Sequence, residues 1–357
     1  MILLLQFWGI VNKTFPLHSI YRRNKDIEKR VEEIKRGIDM EMKVSVYCLV
    51  YNHEKYIRDA LDGFVNQVTD FDYEVIVHDD ASTDSSPLII KEYAGRYPNI
   101  IKPIFQKENK YSKGIRITEK YIFPLIQGKY VASCEGDDYW IDNYKLQKQV
   151  DFLEENPDYV ACVHNTRKLD LWKKKEDLMY VHEYDVDINF CDVVSDGGCA
   201  YHTSSLMYRR EFIKNRPVFM QEKRSFGDYS LAIYLSICGK IRFLSDVMSV
   251  YRFGAVGSWS RKTQTDFERM DSVIAAKIDL LNEVNEFTMY KYNDIIQSAV
   301  LRHNYSRNEM AGNYCKLRKP PYREIYNGKP FKYKAKLLAK QIFDKPYRYL
   351  RIRFYNK

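Results

Sequence analysis

The chain has no G-x-G-x-x-G and no G-x-x-x-x-G-K-[ST], so it offers no glycine loop to cradle a phosphate. It has no C-x-x-C either. Its seven cysteines, at 48, 134, 162, 191, 199, 238 and 315, are odd in number and widely spaced. That argues against a disulfide framework and a zinc cluster, and for reduced thiols in a cytosolic compartment. No apolar run is long enough to cross a membrane. The longest lead, Met1-Ile-Leu-Leu-Leu-Gln-Phe-Trp-Gly-Ile10, is about half a span. It also lacks the basic region and cleavage site of a secretory signal. It reads as an interfacial anchor or as a helix packed on the body. Met40 and Met42 stand just before the first core strand, so an upstream mis-assigned start is a third reading. No internal repeat is present.

What is there is a chain of 357 residues, long enough for one large domain or two modest ones. Its net charge of +9 is unevenly spread. Residues 315–357 hold fourteen Lys/Arg against two Asp/Glu, which leaves −3 on the rest. The basic character belongs to the C-terminal tail. Tyrosine is frequent throughout, a compositional habit rather than a site.

Hydrophobic pattern places strands at Lys43–Val50, Tyr73–His78, Ile100–Phe105 and 129–134. Helices are expected around Ile57–Val65, Pro87–Tyr97, residues 115–127 and Leu146–Leu153, and again over 263–314. Strands alternating with helices of this length imply βαβ units and a mostly parallel α/β sheet. The stretch 156–262 is more mixed. In parallel sheets ligands bind outside the carboxyl ends of the strands. Three polar clusters fall there: Tyr51-Asn52-His53, Asp79-Asp80 and Glu135-Gly136-Asp137-Asp138. Unrelated acidic turns have no reason to share one edge.

Three carboxylates within four residues repel one another and are tolerated where water or a cation compensates them. A solvated acidic turn is the plain alternative. With no glycine loop, a carboxylate-held metal is the remaining common way to bind a diphosphate. Tyr51 offers a ring to a base, or is a core tyrosine. Asp79 and Asp80 offer a carboxylate to a base N–H or a ribose hydroxyl, or cap the next helix. Asp228, after Gly227 and before the apolar run Leu231–Leu235, is a helix cap or a general base.

These residues carry a resemblance. Val44-Ser45-Val46, Tyr51 to Ile57, Tyr73 to Val77, Asp79 to Asp84, Gly128 to Ala132, Glu135 to Trp140 and Lys145 to Val150 are in order those of a family 2 glycosyltransferase. The branch is the one that builds bacterial surface polysaccharides. Weaker matches are Thr203-Ser204-Ser205, Gly227-Asp228, Tyr251-Arg252 and Gly257-Ser258-Trp259-Ser260. The resemblance covers 43–262 and implies a GT-A (Rossmann-like) domain, with a nucleotide-binding half over 43–155 and an acceptor half over 156–262. Residues 1–42 are then an N-terminal extension and 263–357 a helical, basic C-terminal region.

The implied reaction is inverting transfer of a hexosyl or hexosaminyl group from a nucleotide-diphosphate sugar, a UDP-sugar, to a hydroxyl acceptor. That acceptor is a glycan or lipid-linked glycan of capsule, O-antigen or related synthesis. The resemblance implies Mn²⁺ or Mg²⁺ on Asp137 with Glu135, and donor contacts from Tyr51, Asn52, Glu54, Asp79, Asp80, Asp138 and Arg252. It implies Asp228 as catalytic base, and acceptor contacts from Thr203, Ser204 and Trp259. The chain departs from the family in two places. Glu135 stands where the first Asp of D-x-D is usual, and Phe253-Gly254 follow Arg252 where many relatives carry a His. A sugar-phosphate nucleotidyltransferase is the rival enzyme, usually marked by a Gly-rich loop after the first strand. A non-catalytic nucleotide-sugar binding protein is the rival without chemistry.

The tail interleaves Lys/Arg with aromatic and aliphatic residues over Phe331–Phe343 and Tyr347–Tyr355. That pattern suits an anionic membrane surface, a solvated helix face being the plain alternative. The expectation is a cytoplasmic protein, peripheral at the inner face of the membrane through 315–357, with no nucleic-acid partner.

Overall fold

The structure is a computed structural model. It describes residues 42–180, 183–195, 200–214, 216–221, 227–256, 258, 263 and 266–342. Most of the N-terminal extension, Trp259 and the end of the basic tail lie outside the described residues.

The first half alternates strand and helix as the pattern implies. β1 (Val44–Val50), α1 (Ile57–Val65), β2 (Tyr73–Asp79), α2 (Ser86–Arg96), β3 (Ile101–Phe105) and β4 (Tyr130–Ser133) follow in order. β2 and β4 flank β1, β3 lies outside β2, and all three pairings are parallel. Next come β5 (Tyr139–Trp140), α3 (Lys145–Glu155), the long β6 (Tyr159–Asp170), β7 (Lys175–Leu178), β8 (Val186–Ile188) and α4 (Phe190–Ser195). They are followed by β9 (Met207–Arg209), α5 (Gly227–Cys238) and β10 (Lys240–Phe253). β9 joins the halves, antiparallel to both β4 and β6, and β10 runs parallel to β6. One sheet results, in the order β3-β2-β1-β4-β9-β6-β10-β5.

Alternation along the strands builds two cores. Val75, Val77, Tyr130 and Ala132 face α1, α2 and α3 on one side. Ile76 and Val131 face the other side, with α4, α5, α6 (Phe267–Phe287) and α7 (Asn293–Met310). α1 buries Ile57, Ala60, Leu61 and Phe64, a single helical stripe. After α7 come two short helical turns and a helical stretch over 331–342. No helix among the described residues is long and apolar enough to cross a membrane.

Two local outcomes differ from the pattern. The helix expected over 115–127 is shorter and irregular: a wide turn over Thr118–Ile122 runs straight into a tight one over Phe123–Leu125, after a separate turn at Tyr111–Lys113. Gly114 ends that separate turn in the left-handed region, and Pro124 brings no N–H to a continuous helix. Tyr139-Trp140, expected only as the end of the acidic run, is a strand pinned antiparallel to β10.

The entry into β4 is fixed by a buried polar knot. Ser45 Oγ donates to Glu74 Oε1 (2.7 Å) and accepts from the N–H of Gly128 (2.8 Å) and of Gln127 (3.1 Å). Gly128 runs so close to β1 that a Cβ there would lie 2.3 Å from Ser45 N and 2.6 Å from Val44 C. Backbone cannot yield as a side chain can, so Gly128→Ala should lose about 3 kcal/mol in urea unfolding, the upper end of overpacking costs. A loss below about 0.5 kcal/mol would show that β4 is not held this tightly.

Candidate active site

The turns after β1 and β2 are laced together. The Asn52 N–H donates to Ser82 Oγ (2.9 Å) and Asn52 Oδ1 accepts from the Thr83 N–H (2.8 Å). The Glu54 N–H donates to Asp84 Oδ2 (2.9 Å) and Glu54 Oε2 accepts from the Ser85 N–H (3.0 Å). Asn52 sits at φ +58, a conformation Asn tolerates better than most residues. Tyr51 stands out from this clamp, exposed. Asn52 and Glu54 thus shape the turn, and Tyr51 is the side chain it presents.

At the end of β2 the two aspartates divide the work. Both Asp80 oxygens are taken by backbone, from the N–H of Lys110 (2.8 Å) and of Tyr111 (3.0 Å). Asp79 Oδ2 caps the Ser82 N–H (3.1 Å), while Asp79 Oδ1 is buried without a hydrogen-bond partner. Of the expected pair, Asp79 keeps a free acceptor and Asp80 is committed to the loop after β3.

The acidic turn follows β4 directly. The Gly136 N–H donates to Leu49 O (3.0 Å) and the Asp138 N–H to Glu135 O (3.1 Å). A Cβ on Gly136 would lie 2.9 Å from His53 Nδ1 and 3.0 Å from Val50 Cγ2, so glycine lets the turn lie flat on β1. Asp138 points inward. Its Oδ1 accepts from the Arg252 N–H of β10 (2.8 Å), and its Oδ2 is 3.6 Å from His202 Nε2. Burial, then the charges of Asp137 and Glu135, push its carboxyl well up. Arg252 is equally occupied. Its guanidinium bonds Asp59 and the Asp137 carbonyl (3.0 Å) and lies 4.2 Å from the Tyr139 ring centroid. Asp138 and Arg252, expected as donor contacts, are bonded to each other and brace the turn from below.

Glu135 and Asp137 are less enclosed than Asp138. Both are half-buried. Glu135 Oε2 accepts from Thr203 Oγ (2.8 Å). Burial raises its carboxyl to about 7, against the Thr203 hydrogen bond and with the help of the Asp137 and Asp228 charges. The Asp137 carboxylate has no hydrogen-bond or ion-pair partner among the described residues. Asp228, distant in sequence, stands in the first turn of α5, with its charge felt at both Glu135 and Tyr201. Its surface is open to water although protein crowds it from behind, and that crowding raises its carboxyl.

His202, just before the matching run Thr203-Ser204-Ser205, has no role on sequence grounds. It stacks on Tyr251, with ring centroids 4.2 Å apart, and burial drops its pKa to about 3, so it is neutral. Its Nδ1 lies 2.8 Å from Ser204 Oγ, which donates to Ser249 Oγ (2.9 Å), itself 3.0 Å from Thr166 Oγ. Ser204, expected near an acceptor, is wholly buried in this chain of hydroxyls. The Lys145-to-Val150 motif lies beneath it. Lys145 Nζ donates to Gln149 Oε1 (2.6 Å), and Gln149 Nε2 donates to Ser205 O (2.8 Å). The polar run Tyr201-His202-Thr203-Ser204-Ser205 was the available signal, but its pairing with Glu135 and Ser249 is a matter of long-range contact.

No group of three or more His, Cys, Asp or Glu side chains forms a ready metal cage among the described residues. The free Asp137 carboxylate beside Glu135 still fits a hard cation. Mg²⁺-like ions usually take one or two protein carboxylates and complete their shell with waters and substrate phosphates.

Residues 45–258 match the family model described as "Glycosyl transferase family 2". The chain belongs to that family. An uncharacterized protein of Mycobacterium tuberculosis is 36% identical over 229 residues, 60% of this chain and 60% of its own length. The chain thus spans 60% of the length of its mycobacterial relatives. An uncharacterized glycosyltransferase of Nostoc is 29% identical over 252 residues, 69% of this chain and 76% of its own. Among solved structures, S. aureus TarS (residues 1–349) has a TM-score of 0.53 at 19% identity, over 80% of this chain and 78% of that one. The fold is of the same GT-A-like α/β kind, with a helical C-terminal region.

The raised carboxyl of Glu135 makes stability pH-dependent. The folded chain holds this proton more tightly than the unfolded one, whose value is 4.5. Its stabilising share is complete below pH 4.5 and is lost as pH rises toward 7. Glu135→Gln should therefore melt above the parent at about pH 8 in metal-free buffer, by about 1–2 kcal/mol after allowing for water in the cleft. The two should converge at about pH 4. Equal melting at both pH values would mean that Glu135 is not strained by its neighbours.

Proposed function

We propose that the protein is an inverting, metal-dependent glycosyltransferase, moving a hexosyl or hexosaminyl group from a nucleotide-diphosphate sugar to a hydroxyl acceptor. One observation carries the reading: Asp228, in the first turn of α5, lies near enough to the Glu135-to-Asp137 turn for its charge to act on the Glu135 carboxyl. A base near a diphosphate-side acid pair supplies the two halves of a single displacement.

In this reading Tyr51 stacks on the base, and the free Asp79 Oδ1 accepts an N–H from it. Uridine is the proposed base, in keeping with S. aureus TarS, which has been solved with UDP-GlcNAc. Asp137, with the free oxygen of Glu135, would hold Mn²⁺ or Mg²⁺. Such an ion polarises phosphoryl oxygens and stabilises a departing diphosphate. Thr203 keeps Glu135 turned toward the phosphates. Asp228 takes the proton of the acceptor hydroxyl as that oxygen attacks the anomeric carbon from the face opposite the nucleotide. A carboxyl raised by its surroundings suits a base working near neutral pH. The acceptor is a glycan or lipid-linked glycan of bacterial surface-polysaccharide synthesis, reached from the cytoplasmic side of the membrane, with Thr203 and Trp259 beside it.

Asp228→Asn should lower transfer by about 10²–10⁴-fold, the usual worth of a positioned base, while calorimetry finds donor binding nearly intact. Persisting transfer would remove Asp228 from the base role. Asp137→Ala should lose the metal-dependent part of donor binding. Tight, metal-independent binding by that variant would sink the metal assignment.

A further inference from the structure

The helical stretch 331–342 carries a feature that catalysis does not use. Phe331, Ala335, Leu338 and Ile342 recur at i, i+4, i+7 and i+11, so they form one seam along the helix. All four are exposed, Phe331 at 84% and Ile342 at 66%. The opposite side is anchored to the body. Leu337 is buried in a satellite core with Tyr305, Tyr314 and Leu317, and Tyr333 packs against it. Gln341 Oε1 accepts from the Arg318 guanidinium (2.8 Å). The seam thus points outward because its back is held.

Lysines border the seam. Lys332 and Lys336 are exposed along one side, and Lys334 lies on the other, bonded to Asn327 O (2.7 Å). The described residues 315–342 hold nine Lys/Arg against one Asp/Glu. This charge decides the occupant. A second copy would set an equally basic surface against the first. An apolar seam between cations finds both partners at once in a bilayer with anionic headgroups, where chains take the seam and phosphates the lysines.

We propose that helix 331–342 docks edge-on into an anionic lipid surface through Phe331, Leu338 and Ile342, with Lys332 and Lys336 on the headgroups. This names the contact element for the membrane placement proposed above and is independent of the transfer chemistry. The test is co-sedimentation of the full chain with phosphatidylcholine vesicles containing roughly a third phosphatidylglycerol, and with phosphatidylcholine alone. The parent should bind the anionic vesicles only, less so above about 0.1 M salt. F331S/L338S/I342S should lose at least about tenfold in binding, and so should K332E/K336E, which alters only exposed charges. Both should keep the parent's circular dichroism and unfolding midpoint. Asp137→Ala should bind vesicles as the parent does, so a failure of the glycosyltransferase reading leaves this result untouched. Parental vesicle binding by both variants would overturn the proposal. So would parent dimerisation in sedimentation that the seam variant abolishes, with no vesicle binding.

Discussion

Three carboxylates, Glu135, Asp137 and Asp138, are held in one turn past β4, with Asp228 of α5 near enough for its charge to be felt at Glu135, and much of the surrounding structure braces that unfavourable concentration of charge. Protein compensates part of it. Asp138 has the Arg252 backbone N–H, and Glu135 has the Thr203 hydroxyl. Asp137 has neither. The deficit left there is the feature on which the proposed binding of a cation and its phosphates rests.

Holding such a turn still requires support from both halves of the sheet. β1 holds it from one side, where Leu49 O accepts from the Gly136 N–H and a Cβ at 136 would crowd His53 and Val50. β10 holds it from the other through Arg252, which also ties in Asp59 of α1. Beneath lies the bonded chain from half-buried His202 through the buried hydroxyls of Ser204, Ser249 and Thr166. Satisfied buried networks of this kind fix a single arrangement, and a half-satisfied one would not. The second half of the chain thus serves first as a brace for the acids of the first half, and then supplies Asp228.

The strands and their shared carboxyl edge were legible because period-two and period-3.6 patterns are local. So was the acidic turn, since Glu135 to Asp138 are contiguous. What was not legible was how individual side chains are spent. Asp79 and Asp80 are equivalent in sequence, and only the loop at 110–111 decides that Asp80 is consumed and Asp79 left open. Arg252 and Ser204 bond partners far along the chain, which no local pattern shows. His202 was passed over for the same reason. The seam on helix 331–342 was half legible: its composition marked a basic amphipathic stretch, but which face is anchored depends on Tyr305, Tyr314 and Leu317.

The central claim is that this edge releases a nucleoside diphosphate from a nucleotide sugar. The most direct measurement is product analysis after incubation of the protein with a panel of nucleotide sugars and Mn²⁺ or Mg²⁺, with and without hydroxyl acceptors. The account predicts free nucleoside diphosphate from one donor, dependent on metal and increased by an acceptor. Release of pyrophosphate, or intact donor across the whole panel, would contradict it.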